Sequence, residues 1–257
     1  MTRVDLITVE IDGAAPTPAQ LQTLALAPYG HFTAMQVRDG RVRGLELHLD
    51  RLTQANAEMF DAGLDGDRVR ALIRHALGDL ADASVRVLIF GEQPGDPVTT
   101  VVTVRPPFHS PATTSLLPVD YSRTVAHLKR TNDFGQAYWG RHAARTGFGD
   151  ALLVTPGGAV AEAGIANVGF WDGARIVWPE APMLRGITLQ VVQPRLAPPQ
   201  LHQVIRLTQC TDFTSAFVTN SRGISAVTRI GDHEYAVDAE LMRELHRAYD
   251  SAPADPI

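Results

Sequence analysis

The chain of 257 residues holds one cysteine and one lysine. A single thiol, Cys210, permits no internal disulfide and no cysteine metal cluster, and its Leu-Thr-Gln-Cys-Thr-Asp setting reads as a small core residue. No pair among the nine histidines has the HxxxH or HExxH spacing that sets two imidazoles on one helix face, so no metal is expected. There is no run of five like charges, and a net charge of −5 gives no general attraction for phosphate backbones or anionic lipid. Neither nucleic acid nor a membrane is an expected partner. No segment offers ~18 uncharged apolar residues, and the opening MTRVDLITVEIDG carries charges where a signal peptide has its apolar centre, so a cytoplasmic protein is expected. What is plentiful is apolar side chain, 45% of residues, enough for a large core in one domain or two lobes.

The scarcity of lysine is the sharpest of these absences. Lysine and arginine total 23, of which 22 are arginine, which leaves Lys129 alone in Val125-Ala126-His127-Leu128-Lys129-Arg130-Thr131-Asn132. An amine can lose its proton, attack a carbonyl and form an imine, whereas a guanidinium effectively cannot. An Arg-favouring codon bias with one surviving surface lysine is the plainer explanation, and the surrounding residues decide between the two.

Residues 3 to 11 alternate like an edge strand until Gly13 and Pro16-Thr17-Pro18 break the pattern. Phe32 to Val37 and Val42 to Leu47 read as strands around an Asp39-Gly40 hairpin turn. The stretch from His48 to Gly63 has apolar residues at helical spacing, as does Asp67 through Ala81. Val85 to Phe90 and Val98 to Val104 form another expected hairpin across Pro94-Gly95-Asp96-Pro97. Pro106, Pro107, Pro111 and Pro118 crowd one stretch, which suggests a connector, placed at 111–118, between a first lobe at 1–110 and a second at 119–257. In the second lobe, helices are expected over Phe134 to Thr146, Gly186 to Gln193 and Ala239 to Tyr249. Strands are expected at Asp150 to Val154, Ile165 to Trp171, Arg175 to Trp178, Ser215 to Thr219 and Ser225 to Ile230. The fold class is α+β.

Were Lys129 to hold an aldehyde cofactor such as pyridoxal phosphate, the site would need a phosphate cradle and a carboxylate facing the pyridine nitrogen. Glu162, in Val160-Ala161-Glu162-Ala163-Gly164, can supply the acid; taken alone it is a solvated acid beside a loop. Gly186-Ile187-Thr188 opens an expected helix, whose unpaired N–H groups and positive dipole end attract anions, although by itself it is only a capped helix. Arg51 can add a bidentate clamp, or form a surface ion pair. Ser221, in Thr219-Asn220-Ser221, can add a hydroxyl or cap a turn. Phe32, Met35 and Trp171 are apolar candidates for a substrate pocket, and each also suits a core.

In order, HLDRL, HLKRTN, EAGIANVGFW, LRGIT and TNSRGISAV resemble the class IV aminotransferase family, the fold-type IV pyridoxal phosphate enzymes, over roughly residues 29 to 230. That family includes branched-chain and D-amino acid aminotransferases, R-selective amine transaminases and 4-amino-4-deoxychorismate lyases. The resemblance implies a two-lobed fold: a smaller N-terminal α/β lobe and a larger C-terminal lobe with a β-rich, barrel-like core. It implies pyridoxal 5′-phosphate as cofactor, Lys129 as the Schiff-base lysine and Glu162 as the pyridine-nitrogen partner. Arg51, Ile187, Thr188 and Ser221, with Gly186 and Asn220 in the same phrases, become the phosphate cradle, and Asn167 matches a family asparagine near the cofactor. It also implies a homodimer acting on small amino and keto substrates. Where branched-chain members carry a tyrosine shortly after the lysine, this chain has Asn132-Asp133-Phe134; Tyr29-Gly30-His31 replaces a common Gly-Asp-Gly, and Leu189 follows Gly-Ile-Thr in place of a frequent arginine. The leading expectation is a transaminase. The HLK, NVGFW and TNS phrases are closer to the aminodeoxychorismate lyases, which release pyruvate, and a non-catalytic α+β binding domain is the third alternative.

Overall fold

The computed structural model describes residues 6–26, 29–91, 95 and 97–257. The chain folds into two compact units. The first comprises the described residues up to Phe108 with Leu128–Asn132 and Pro253–Ile257; the second comprises His109–His127 and Asp133–Ala252.

In the first unit, β1 (Thr8–Ile11), α1 (Pro18–Leu26), β2 (Gly30–Val37), β3 (Arg41–Arg43), α2 (Leu45–Phe60), α3 (Gly66–Leu77), β4 (Ala83–Phe90) and β5 (Thr99–Arg105) follow in order. An antiparallel sheet runs β1-β5-β4-β2, so β1 and β2 are its edges. Along β2 and β4 every second residue is buried, the period-two signature of a sheet with one covered face. Met35, Val37, Val85 and Val87 on that face meet Leu49, Leu52 and Ile73 of α2 and α3 in one apolar core. Asp65 caps α3 by accepting from the backbone N–H groups of Asp67 and Arg68.

Two expectations change here and one helix is added. β1 ends before Pro16-Thr17-Pro18, as expected, but that stretch also opens a helix: Thr17 and Gln20 bond reciprocally to each other's backbone N–H, a capping box, and Pro18 takes the first helical position of α1. The strand expected over Val42 to Leu47 stops at Arg43, because Gly44 is left-handed (φ 71°) and α2 begins at Leu45. Asp39 and Gly40 do take positive φ, yet beyond the Arg38–Arg41 bridge β3 pairs with a strand near the end of the chain, β15 (Ala254–Pro256), rather than with β2. The hairpin between β4 and β5 forms as expected; residues 92–94 and 96 of its turn, like residues 3–5 of the first expected strand, lie outside the described residues.

The second unit contains β6 (Thr113–Asp120), α4 (Phe134–Arg145), β7 (Asp150–Val154), β8 (Val160–Ala163), β9 (Asn167–Trp171), β10 (Ile176–Pro179), α5 (Ile187–Val192), β11 (Gln200–Gln203), β12 (Ser215–Asn220), β13 (Gly223–Ile230), β14 (His233–Glu234) and α6 (Ala239–Asp250). Its nine-stranded sheet runs β11-β10-β9-β12-β13-β6-β7-β8, with β14 on β13. β8 ends that order yet packs against β9 and β10 of the other arm, so the sheet curls into a half-barrel. Leu152, Phe170, Val218 and Val227 fill the inside of the curl. Trp178 and Phe217, at an edge-to-face centroid distance of 5.3 Å, form a second core with Leu189 of α5 and Leu241 and Leu245 of α6. Gly169 makes that approach possible: a Cβ there would lie 2.4 Å from the Phe217 ring and 2.8 Å from Trp178. Residues 113–120, inside the proline-rich stretch, are strand rather than irregular chain. Pairing of β6 with β13 ends at Leu116, so Pro118 is flanked by β7 alone and its missing donor breaks no ladder on the β13 side.

Candidate active site

Lys129 lies in an irregular segment held on the free edge of β2. Phe32 N–H donates to the Lys129 carbonyl at 2.9 Å and Thr131 N–H to the Gly30 carbonyl at 2.8 Å, around a bridge between His31 and Arg130. An edge strand offers unpaired backbone groups, and the lysine segment satisfies some of them. The half-buried ammonium stands 4.9 Å from the centroid of Phe32, and Arg86 stands 4.6 Å from it. Phe32 and Met35 point to opposite faces of β2: Met35 is buried in the helix-facing core, while Phe32 lies on the side of the lysine.

Arg51 and His48 both come from α2. His48 is buried, with Nδ1 2.6 Å from the Thr33 hydroxyl, and its pKa is pushed down to about 3, chiefly by burial and further by the charges of Arg51 and Lys129. Burial also brings Arg51 down to about 10. The first unit therefore gathers a lysine, a guanidinium and an uncharged imidazole, a donor-rich group suited to an anion.

In the second unit, six of the sequence-selected residues meet around the loop before α5 and the start of that helix. Glu162, on β8, accepts from Leu184 N–H at 3.3 Å on Oε2 and from Arg123 Nη1 at 3.1 Å on Oε1. Asn167, on β9, donates to the Leu184 carbonyl at 2.7 Å and accepts from Gly186 N–H at 2.9 Å. A Cβ at Gly186 would lie 2.2 Å from Asn167 Oδ1, so only glycine lets the asparagine hold that backbone. Ile187 and Thr188 begin α5, and the Thr188 hydroxyl donates to the Asn220 carbonyl at 2.7 Å, tying the helix start to the end of β12. Asn220 in turn accepts from Arg222 N–H at 2.8 Å, shaping the turn that contains Ser221. Trp171 lies apart from this group: it borders a cleft of about 510 Å³ together with Pro198, Leu241 and Arg243.

Two residues that motif reading passed over are built into the site. Arg123 reaches Glu162 and, through Nε, Asp133 Oδ2 at 3.2 Å; the three side chains are 3%, 5% and 4% exposed. Burial would raise the Asp133 pKa, but the Gln136 N–H, the Arg123 charge and the Tyr121 hydroxyl outweigh it and hold the acid below its ordinary range. Asp133 could have been found as the N-cap of α4. Arg123, one of 22 arginines, carries no comparable local signal.

A sequence model of the amino-transferase class IV family matches residues 30–230. The chain belongs to the class IV aminotransferase family. No curated protein matches it. Among solved structures, this aminotransferase is similar to a hypothetical aminotransferase from Mycobacterium tuberculosis in a PLP-bound form (22% identity, 95% of this chain and 97% of that one, TM-score 0.79). It is also similar to a branched-chain aminotransferase from the thermophilic archaeon Thermoproteus uzoniensis (16% identity, 93% and 92%, TM-score 0.80) and to a fold IV transaminase from Curtobacterium pusillum (22% identity, 90% and 89%, TM-score 0.77). The architecture of the class IV aminotransferase is thus that of the fold-type IV enzymes. Among the described residues no helix is long and apolar enough to cross a membrane, and no cluster of three or more histidine, cysteine or carboxylate side chains is placed to hold a metal ion.

Proposed function

We propose that the protein is a pyridoxal 5′-phosphate-dependent transaminase, moving an amino group between an amino acid or amine and a keto acid, with Lys129 as its covalent anchor and proton carrier. The observation that carries this reading is that the chain's sole lysine sits on the edge of β2 within a family-matched segment, half-buried over Phe32. The residues present fit the cofactor. In the first unit the Arg51 guanidinium suits a phosphate; in the second, the backbone N–H groups at Ile187 and Thr188 and the Ser221 hydroxyl suit one too, with Gly186 and Asn220 shaping that backbone, and the buried Glu162 carboxylate suits the ring nitrogen. When bound, the cofactor withdraws electrons from the substrate Cα. Lys129 would hold the cofactor through Nζ, and the same nitrogen, when free, would carry a proton away from the substrate Cα. Glu162 would accept a hydrogen bond from the ring nitrogen, and Asn167 fixes the Leu184–Gly186 backbone just ahead of the N–H groups that would meet the phosphate. The enzyme acts as a cytoplasmic homodimer.

A visible-absorbance titration of the purified protein with pyridoxal phosphate tests this. The wild type should develop a band that borohydride fixes covalently, and an amino donor should convert it to the pyridoxamine form. A Lys129→Ala protein that is still fixed by borohydride would remove the assignment. The HLK, NVGFW and TNS phrases favour one second reading, an aminodeoxychorismate lyase; pyruvate release from that substrate with no keto acid added would select it.

A further inference from the structure

We propose that Arg123 is a positioning residue, a buried strut between Asp133 and Glu162 that fixes the orientation in which the Glu162 carboxylate is presented; this rests on the cofactor reading above. Glu162 is gripped on both oxygens by donors of different origin, a guanidinium on Oε1 and a backbone N–H on Oε2. Two donors on two oxygens fix the carboxylate's tilt as well as its position. Arg123 is itself held at both ends of its fork, since Nη1 also donates to the Ala126 carbonyl at 2.9 Å while Nε donates to Asp133. Asp133 is anchored in its turn by the first turn of α4, through Gln136 N–H at 3.2 Å, and by the Tyr121 hydroxyl at 3.1 Å. The result is a rigid line from the start of α4 through Asp133 and Arg123 to Glu162, out of water along its length, where hydrogen-bond geometry is stiff. A planar fork can bridge two acids in this way, whereas the single point charge of a lysine cannot.

The test uses full-length protein loaded with pyridoxal phosphate and compares wild type with Arg123→Gln, Arg123→Lys, Asp133→Asn, Glu162→Gln and the Arg123→Gln/Glu162→Gln double variant. The readouts are cofactor affinity, the pH midpoint of the visible band and the thermal midpoint as a control for folding. Arg123→Gln should weaken cofactor binding about tenfold and move the pH midpoint by about half a unit in the same direction as Glu162→Gln. Arg123→Lys should not rescue it. The double variant should be no worse than Glu162→Gln alone, because both remove one arrangement. Asn can still cap α4, so Asp133→Asn keeps the fold and decides the question if Arg123→Gln does not fold; it should shift the band in the same direction by a smaller amount. Unchanged spectra in Arg123→Gln and Asp133→Asn, or fully additive effects in the double variant, overturn the strut while leaving the cofactor reading intact. A wild type that binds no pyridoxal phosphate overturns both.

Discussion

The first unit buries two imidazoles, His31 of β2 and His48 of α2, which burial holds uncharged, whereas the second unit buries a guanidinium between two carboxylates, Asp133 and Glu162. A neutral ring needs few partners and tolerates an apolar setting, but acid can switch it. A buried ion triad is costly to desolvate and worth keeping mainly where fixed geometry matters, since breaking one partner away leaves an uncompensated charge. On the proposed function, the first unit would supply the reactive amine on an ordinary packed scaffold, while the second spends stability on holding one acid still. The largest expected effects test that division. Lys129→Ala should lower turnover by about 10³-fold or more and leave the thermal midpoint nearly unchanged, because Arg86 remains against Phe32. Glu162→Gln should lower turnover and also cost about 1–3 kcal/mol of stability, because Arg123 loses its charged partner. Steady-state rates beside urea unfolding would separate the two patterns; a Lys129→Ala protein as destabilised as Glu162→Gln would erase the distinction.

The apolar cores should respond alike, which bounds the comparison to the polar groups. Phe217→Ala, which empties the space against Trp178 and Gly169, is expected to cost about 3–5 kcal/mol, and Ile73→Ala in the first unit about 2–5 kcal/mol. Urea midpoints measure both. A loss below about 1 kcal/mol at either site would mean that its core collapses to fill the void.

How far the sequence disclosed these two designs depended on range. Period-two alternation in β4, the apolar stripe of α3 and the whole of β7 are local patterns, and each was legible. Lys129 stood out by composition, but its docking on the edge of β2 depends on a partner about a hundred residues away, which no local pattern encodes. The Arg123 strut was hidden for the same reason, since an arginine's partner 39 positions on leaves no periodic trace. Misreadings came from residues with two uses. Pro118 looked like a linker residue because the strand's half-paired state cannot be seen locally, and the Pro16-Thr17-Pro18 break hid a helix start that Thr17 and Gln20 spell. The short β11, β14 and β15 pair with strands assembled from elsewhere and have too few residues to show a period.

Acid should reveal the two kinds of burial separately. His48 has a folded pKa of about 3 and His31 of about 4, both below the ordinary 6.5, so the unfolded chain binds the extra protons between those values. Stability contributed by keeping them neutral is therefore complete above 6.5 and is lost as pH falls, by roughly 1.4 kcal/mol per pH unit for each ring. Asp133 is also shifted down, but from an ordinary 3.8 rather than 6.5, so its contribution persists until pH drops under 3.8. Between pH 6.5 and 5 the loss should fall on the first unit. Urea unfolding across that range should show the slope, and His48→Gln should reduce it by about half. An unchanged slope in that variant would mean that His48 is not the proton acceptor.

The smallest expected effect concerns the backbone ahead of Lys129. Val125 has φ 52° and is 42% exposed, so a β-branched residue occupies the left-handed region with little burial to offset it. That conformation costs roughly 1–2 kcal/mol, while glycine would give back about 0.5–1 kcal/mol through greater freedom in the unfolded chain. Val125→Gly should therefore stabilise the protein by up to about 1 kcal/mol, a rise of about 2–4 °C in thermal midpoint for a chain of this size. Turnover should fall at the same time, because the stiffness lost lies between Arg123 and Lys129 in the chain. Strain kept at a solvent-facing residue is retained for what it positions, and a Val125→Gly protein that is less stable, or more stable with full turnover, would show that this loop is not held for the chemistry.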